Sequence, residues 1–582
     1  MTAETALYQT LLVLTPLAPL VLCTLLWGAG ARDRLISFVP WAALPGLLLA
    51  LLPDGGSRIG LDWLLLGGQL GLDGMGRVFL LLTALLWMSA GLHLRQLLSD
   101  DSHARRFAIF FLLAMGGNLG VALSLDMLGF YLFFALMSFS SYALVVHDGR
   151  DFSRRAGRVY LILVLMGEVL LFTALVMLAR HTPFLLLSEA SSALAGSEQR
   201  NLILAILITA LGIKLGMVPL HFWLPLAHPA APVPASAVLS GAMIKAGLLG
   251  LARLLPLGQV ALPGWSGGLV VAGLVMAYYG VVVGLPQRKV KTVLAYSSIS
   301  QMGYGVIALG LGLAQPGVWP QLAPVLAFYA LHHGLAKGAL FLGVSMAPVS
   351  GMSVRLRRLA VLGLLWPALA LSGAPFTSGA QAKAALKPFL KEAPAYGPFP
   401  LSALLSCAAV GTALIMARFL FLMYRKPSDR PSPGAAMWGG WLLLLTGSIV
   451  CAVGWFPDPW LHAALQSVSV APVSALWPLL LALLIAVAAM RRLPQAVKEV
   501  FSPPPGDVGV LVEKFISLVC DAFRKPWALI AGGKLWKTLR LPRGRWWHRL
   551  AVYEVLHETE LSLRRFPVAG AVFLFILLLF IL

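Results

Sequence analysis

Charge is scarce in this sequence. Only 12% of its 582 residues are Asp, Glu, Lys or Arg, while 59% are hydrophobic. A soluble chain of this length needs far more charge to cover its surface, which excludes an ordinary globular protein. Acids are the scarcer sign: 23 Asp and Glu stand against 44 Lys and Arg, a formal net charge of +21. In a soluble protein that excess suggests nucleic acid. Here the basic residues fall between apolar runs, so topology and lipid contact account for them and no nucleic-acid partner is expected. Cysteine is equally sparse. Cys23, Cys407, Cys451 and Cys520 lie far apart, with no CxxC pair and no Cys/His cluster, so no iron–sulfur or zinc site is expected in this chain. There is no glycine-rich phosphate loop. The first apolar run lacks a basic leader and runs on into further spans, so no cleavable signal is expected.

What the chain has in abundance is apolar sequence; its mean hydropathy is +0.86. Runs of about 17–25 apolar residues cross a bilayer as helices. They fall near 8–28, 35–52, 75–95, 106–124, 126–146, 157–179, 200–226, 235–255, 262–284, 292–313, 321–346, 356–390, 400–424, 436–456, 472–490 and 566–582, about 16 helices in all. Basic residues concentrate in the connections after odd-numbered spans, such as Arg105 and Arg106, Arg154 and Arg155, Lys289 and Lys291, and Arg357 and Arg358. By the positive-inside rule both termini are non-cytoplasmic, in a bacterial inner membrane. From about 491 to 565 the chain is mixed, basic and proline-rich. Val508–Ala522 carries apolar residues at helical spacing, which predicts an amphipathic helix on the cytoplasmic membrane surface or against a partner.

A few charges fall inside spans, where each costs about 2.5–3.5 kcal/mol on insertion scales and therefore faces an interior or a water path. Glu168 lies midway along the sixth span, Lys214 in the seventh and Lys245 in the eighth. The eleventh holds His332, His333 and Lys337, and the twelfth Lys383 and Lys387. His333 and Lys337 are one helical turn apart on one face. Packing explains some of these singly: Lys383 and Lys387 by reaching for the interface, His332 by bonding a neighbouring helix, Glu168 with Lys214 as a static pair. It explains poorly their recurrence on separate apolar helices. Two spans also carry matching breaks, Gly212, Gly216 and Pro219 beside Lys214, and Gly373, Pro375 and Gly379 before Lys383. Paired broken helices in two halves of a transporter point to an ion path.

At Pro219–Gly247, PLHFWLPLAHPAAPVPASAVLSGAMIKAG, the sequence resembles the antiporter-like membrane subunits of respiratory complex I, Mrp-type antiporters and energy-converting hydrogenases. LAYSSISQMGY at Leu294–Tyr304, HHGLAKGALFL at His332–Leu342 and LSGAPFTSGAQAK at Leu371–Lys383 follow in the family's order. The AHPAAP stretch at Ala227–Pro232 is most similar to the hydrogenase-4 and formate-hydrogenlyase branch.

The resemblance implies an all-α polytopic fold with a 14-helix core, two inverted five-helix repeats and broken helices 7 and 12. The corresponding division is 1–100 for helices 1–3, 101–257 and 258–424 for the two repeats, 425–492 for helices 14–15, 493–565 for the lateral segment and 566–582 for a last transmembrane helix. It implies a proton-transfer axis of Lys214, Lys245, His333, Lys337 and Lys383, to which Glu168, read from its depth in the sixth span, is added as a candidate. One departure stands out. Where the family usually has a fifth-helix glutamate, this chain reads FFALMSFSSY with Ala135 at the acidic position. Either the acid is lost or Glu168 replaces it. Ser240 also stands where some members carry histidine. The implied function is a non-catalytic, proton-translocating subunit of a redox-driven complex, without cofactors of its own. Its expected partners are other membrane subunits and a hydrophilic arm holding iron–sulfur centres. A sodium/proton antiporter subunit, an ion-coupled module for inorganic-carbon uptake and a non-conducting scaffold are the rival readings.

Overall fold

The computed structural model describes residues 3–28, 35–492 and Pro504, apart from 54–55, 62–66, 99–100, 183, 348, 350–351, 394–397, 425–431, 455–458, 467 and 469–471. The predicted lateral segment at 493–565, Pro504 aside, and the last span at 566–582 lie outside the described residues. The chain forms two compact units, Met1–Gly60 with Gln69–Asp507, and Leu61–Gly68 with Val508–Leu582. The first is a helical bundle. Of the second, Leu61, Gly67 and Gly68 are described.

The bundle runs α1 (Ala3–Gly28), α2 (Leu44–Leu51), α3 (Gly74–Gly91), α4 (Ala104–Leu123), α5 (Met127–Val145), α6 (Asp151–Ala179) and α7 (Arg200–Leu215). It continues with α8 (Trp223–Ala230), α9 (Val233–Leu254), α10 (Pro263–Gly284), α11 (Val290–Ala314) and α12 (Trp319–Gly343). The remainder is α13 (Val354–Ser372), α14 (Ser378–Lys391), α15 (Leu401–Tyr424), α16 (Ala435–Ala452) and α17 (Pro472–Arg492). Ten helices among the described residues are long and apolar enough to cross a membrane. The chain is an all-α, multi-pass membrane protein. Asp73 and Asp126 cap α3 and α5 by accepting from the backbone N–H of Gly76 and Gly129, donors that would otherwise be orphaned.

Burial sorts the helices by position. The apolar windows of α9 and α12 are wholly buried within the bundle, so these two helices are central. On α6, Ile162, Leu165, Val169, Phe172 and Val176 form an exposed apolar stripe, while Tyr160, Gly167, Glu168 and Leu171 on the other side are buried. That helix lies at the periphery with Glu168 turned inward.

The two predicted breaks are present and are built alike. After α7, Gly216 adopts φ +80°, Met217 N–H bonds the Gly212 carbonyl and Gly216 N–H the Ile213 carbonyl. After α13, Gly373 adopts φ +83°, Ala374 N–H bonds the Leu369 carbonyl and Gly373 N–H the Ala370 carbonyl. This is the Schellman termination, and its left-handed residue is glycine because a Cβ would strain it.

Outside the spans, His147 Nε2 and Asp101 Oδ2 pair at 2.6 Å between the ends of α5 and α4. Burial pushes the His147 imidazole below its usual value, and the Asp101 carboxylate offsets this only in part; Arg106 and His103 act with burial. For Asp101, partial burial works upward but is outweighed by the His103 N–H and by His147, so its carboxyl titrates below its usual range. Both shifts place stability on the alkaline side. As pH falls below the ordinary histidine value of 6.5, the unfolded loop takes up protons that the folded loop does not. Protection against amide exchange at the start of α4, relative to the intrinsic rate at each pH, should therefore fall from about pH 7 to 5. Unchanged protection over that window would contradict the assignment.

Candidate functional site

Two polar clusters occupy the apolar interior. The first joins α5, α6 and α7. Lys214, in the last turn of α7, is 3% exposed and donates from Nζ to Ser138 Oγ on α5 at 3.0 Å. Its ammonium also lies 5.5 Å from the Phe134 ring centroid. Glu168, 3% exposed, interacts electrostatically with Lys214. Acid and lysine make no direct ion pair within 4.0 Å among the described residues. Ala135 sits one turn before Ser138 and is half-buried. Close approach of α9 makes the site compact: a Cβ on Gly247 would lie 2.8 Å from the Leu211 carbonyl and 3.3 Å from Lys214 Cβ. Gly247→Val should destabilise the bundle by about 1–3 kcal/mol through overpacking. Lowered melting temperature or poorer assembly of the purified complex would register this; wild-type values would contradict the close approach.

The second cluster joins α9, α11, α12 and the second break. Lys245 donates to the Ser240 carbonyl in a π-helical turn, Leu239–Met243, inside α9. The Ser240 hydroxyl meets Ser298 Oγ at 2.7 Å, and Ser298 Oγ donates to the Leu294 carbonyl at 3.0 Å. Lys337 Nζ donates to that same carbonyl at 2.8 Å. Lys245 and Lys337 are thus linked through Ser240 and Ser298: Lys245 holds the Ser240 backbone, the Ser240 hydroxyl meets Ser298, and Ser298 and Lys337 share the Leu294 carbonyl as acceptor. His333, fully buried, stacks on Tyr329 and leaves both ring nitrogens without a hydrogen-bond partner among the described residues. His332 Nδ1 meets Ser378 Oγ at 2.8 Å, bonding a neighbouring helix. Lys383 does not reach for the surface. It turns back from α14 to the Leu371 and Ser372 carbonyls at the end of α13, each at 3.1 Å, whereas Lys387 is exposed. Lys383 therefore satisfies orphan carbonyls at the negative end of a half-helix, and Lys214 likewise lies in the last turn of one.

Of the six residues singled out from the sequence, Glu168 and Lys214 come together at the first cluster. Lys245, His333 and Lys337 interact electrostatically at the second, and Lys383 reaches it through its charge interaction with His332. No charge interaction links Lys214 to the second cluster among the described residues. Sequence reading missed Ser138, Ser298, Ser378 and His228. His228, stacked on Phe341 at 4.6 Å, faces the charges of Lys291, Lys337 and Lys245. Ser138 lies one turn from the missing acid, the only signal that marked it.

The chain was compared with known proteins. The model of the NADH:quinone oxidoreductase/Mrp antiporter transmembrane family matches residues 124–386, the span that holds both clusters. Hydrogenase-4 component B of Escherichia coli K12 is 34% identical over 222 residues, 37% of this chain and 33% of that protein. A Na+/H+ antiporter subunit of Alkalihalophilus pseudofirmus is 28% identical over 306 residues, 50% of this chain and 60% of that protein. The chain thus spans about a third to three fifths of these relatives. In fold it is similar to a chain of the Mrp complex from Dietzia sp. DQ12-45-1b, with TM-score 0.63 at 20% identity over 82% of this chain and 100% of that one. It is equally similar to a chain of an archaeal membrane-bound sulfane sulfur reductase, with TM-score 0.63 at 20% identity over 81% and 99%. The likeness to the NADH:quinone oxidoreductase/Mrp antiporter transmembrane family thus lies in residues 124–386.

Proposed function

We propose that this chain is a proton-translocating membrane subunit of a redox-driven complex, with the redox centres in its partners. The observation that supports proton movement is the cluster of Lys245, Ser240, Ser298 and Lys337 on helices shielded from lipid; the Ser240 and Leu294 carbonyls in it only accept, so water passes the proton between the lysines. Buried lysines held only by neutral oxygens can lose a proton without breaking an ion pair, which a static structural bridge cannot do. Protons enter at Glu168 and Lys214, pass by Lys245 and His333 to Lys337, and leave by Lys383. Water supplies the step from Lys214 to Lys245, where no side chain bridges the two among the described residues. It also supplies partners for the His333 nitrogens, since an orphaned buried polar group costs about 1–3 kcal/mol. In this reading both termini are non-cytoplasmic, and the partners are membrane subunits and a hydrophilic redox arm.

A sodium/proton exchange reading draws on the similarity to the Alkalihalophilus antiporter protein. Reconstituting the intact complex in liposomes separates the two. Proton uptake driven by electron transfer, unchanged on removing sodium, supports the first; flux that requires a sodium gradient and no electron donor supports the second.

A further inference from the structure

Ser372, Thr377 and Ser378 flank the second break, and their hydroxyls bond in different directions. Ser372 Oγ donates to the Ala368 carbonyl at 2.8 Å and Thr377 Oγ1 to the Ala374 carbonyl at 2.6 Å, each within its own stretch of chain. Ser378 Oγ instead crosses to the central helix α12 and meets His332 Nδ1 at 2.8 Å. His332 is 1% exposed, and its ring lies tight against the break: a Cβ on Gly379 would clash with the Ala370 carbonyl and come within 2.9 Å of His332 Cε1. The carbonyls of the next two residues, Leu371 and Ser372, hold Lys383 Nζ, and a Cβ on Gly373 would lie 3.0 Å from that nitrogen. One aromatic wall runs beside both groups. The His332 ring meets Tyr329 edge-on at 6.3 Å, Tyr329 stacks on Tyr304 at 5.7 Å, and Lys383 Nζ lies 5.9 Å from the Tyr304 centroid. The phenol groups bond elsewhere, Tyr329 donating to Gln301 Oε1 at 2.9 Å and Tyr304 to the Leu405 carbonyl at 3.0 Å, so ring faces form this wall.

We infer that His332 is a proton carrier between the central helix and Lys383, and not only a brace between α12 and α14. The inference rests on the proton-translocating reading and deepens it at the exit. With Nδ1–H donating to Ser378, Nε2 keeps a lone pair, and protonation there leaves the Ser378 bond in place. Lys383 is matched to receive. Its neutral amine has two N–H bonds for the two carbonyls and a lone pair to spare, and the ammonium keeps both contacts. In the step the Nε2–H bond of the His332 imidazolium breaks, water relays the proton, and a new N–H bond forms on the Lys383 amine. One positive charge moves and none is created. Neither partner gives up a hydrogen bond in either state, so the handover leaves no buried polar group stranded.

The test uses the intact complex in proteoliposomes and two opposed variants. His332→Asn keeps an amide donor for Ser378 but cannot take up a proton. Ser378→Ala removes the bond and keeps the imidazole. Proton translocation should fall about tenfold in His332→Asn, less than for a sole acid–base group because water still reaches Lys383. It should fall less in Ser378→Ala, with assembly unchanged in both. The infrared difference spectrum recorded as electron transfer starts, with isotope-labelled histidine, should lose a histidine protonation signal in His332→Asn. Wild-type flux in His332→Asn together with blocked flux in Lys337→Ala overturns the carrier and leaves the functional reading standing. Wild-type flux in both overturns the reading itself. A fall in Ser378→Ala as large as that in His332→Asn, or no histidine signal lost, assigns His332 to bracing and overturns the carrier. If His332→Asn does not assemble, His332→Gln takes its place in the same measurements.

Discussion

Replacing Lys337 with alanine should abolish proton translocation while the complex still assembles. Lys337 is fully buried on the central helix α12, and its ammonium shares the Leu294 carbonyl with Ser298. Truncation removes the central proton carrier, and loss of a positioned acid–base group lowers rate by about 10²–10⁴-fold. Assembly should survive because the carbonyl that held the ammonium is not orphaned: Leu294 keeps its bond from Ser298. The variant also removes a desolvated cation from the membrane interior, which offsets the lost packing. Flux measured in proteoliposomes, alongside size-exclusion profiles of the purified complex, checks both halves of the statement. Full pumping with an intact profile would move the central role to another group.

Glu168→Ala should have the second-largest effect, a fall in translocation of about 10²-fold. Among the described residues, the charge interaction of Lys214 is with Glu168, so the variant leaves a lone cation between apolar helices. Adding Ala135→Glu in this background should restore part of the flux. Position 135 lies three residues before Ser138 on the same helix, one turn away. A glutamate there approaches Lys214 from α5 instead of α6. Wild-type activity in Glu168→Ala, or no recovery in the double variant with assembly intact, would defeat the idea that the acid has moved from one helix to its neighbour.

The membrane fold was legible because its causes are local. Apolar length sets a span, and glycine with proline sets a break, so Gly216 and Gly373 marked the two interruptions before any packing was known. The buried charges were legible for a similar reason: a lysine amid leucines stands out. The serines do not stand out. In apolar helices a serine commonly bonds its own preceding turn, as Ser141 and Ser372 do here; only its place one turn from Ala135 marks Ser138, and nothing in the sequence marks Ser378. Which side chains meet depends on the rotation of each helix about its axis, and that is fixed by neighbours distant in sequence. Lys383 shows the limit. Sequence left it free to reach the interface with Lys387, and only the open carbonyls at the end of α13 turn it inward.

α6 has a double allegiance. Its outer stripe of Ile162, Leu165, Val169, Phe172 and Val176 meets whatever surrounds the bundle, and its inner side carries Glu168, whose charge interacts with Lys214. The wholly buried helices α9 and α12 are insulated from the surroundings, but α6 is not. A tilt of α6 imposed by bilayer thickness or by an adjoining protein changes the gap between Glu168 and Lys214 directly, with no intermediate element to absorb it. The helix is a lever whose handle lies outside the protein and whose tip carries the acid.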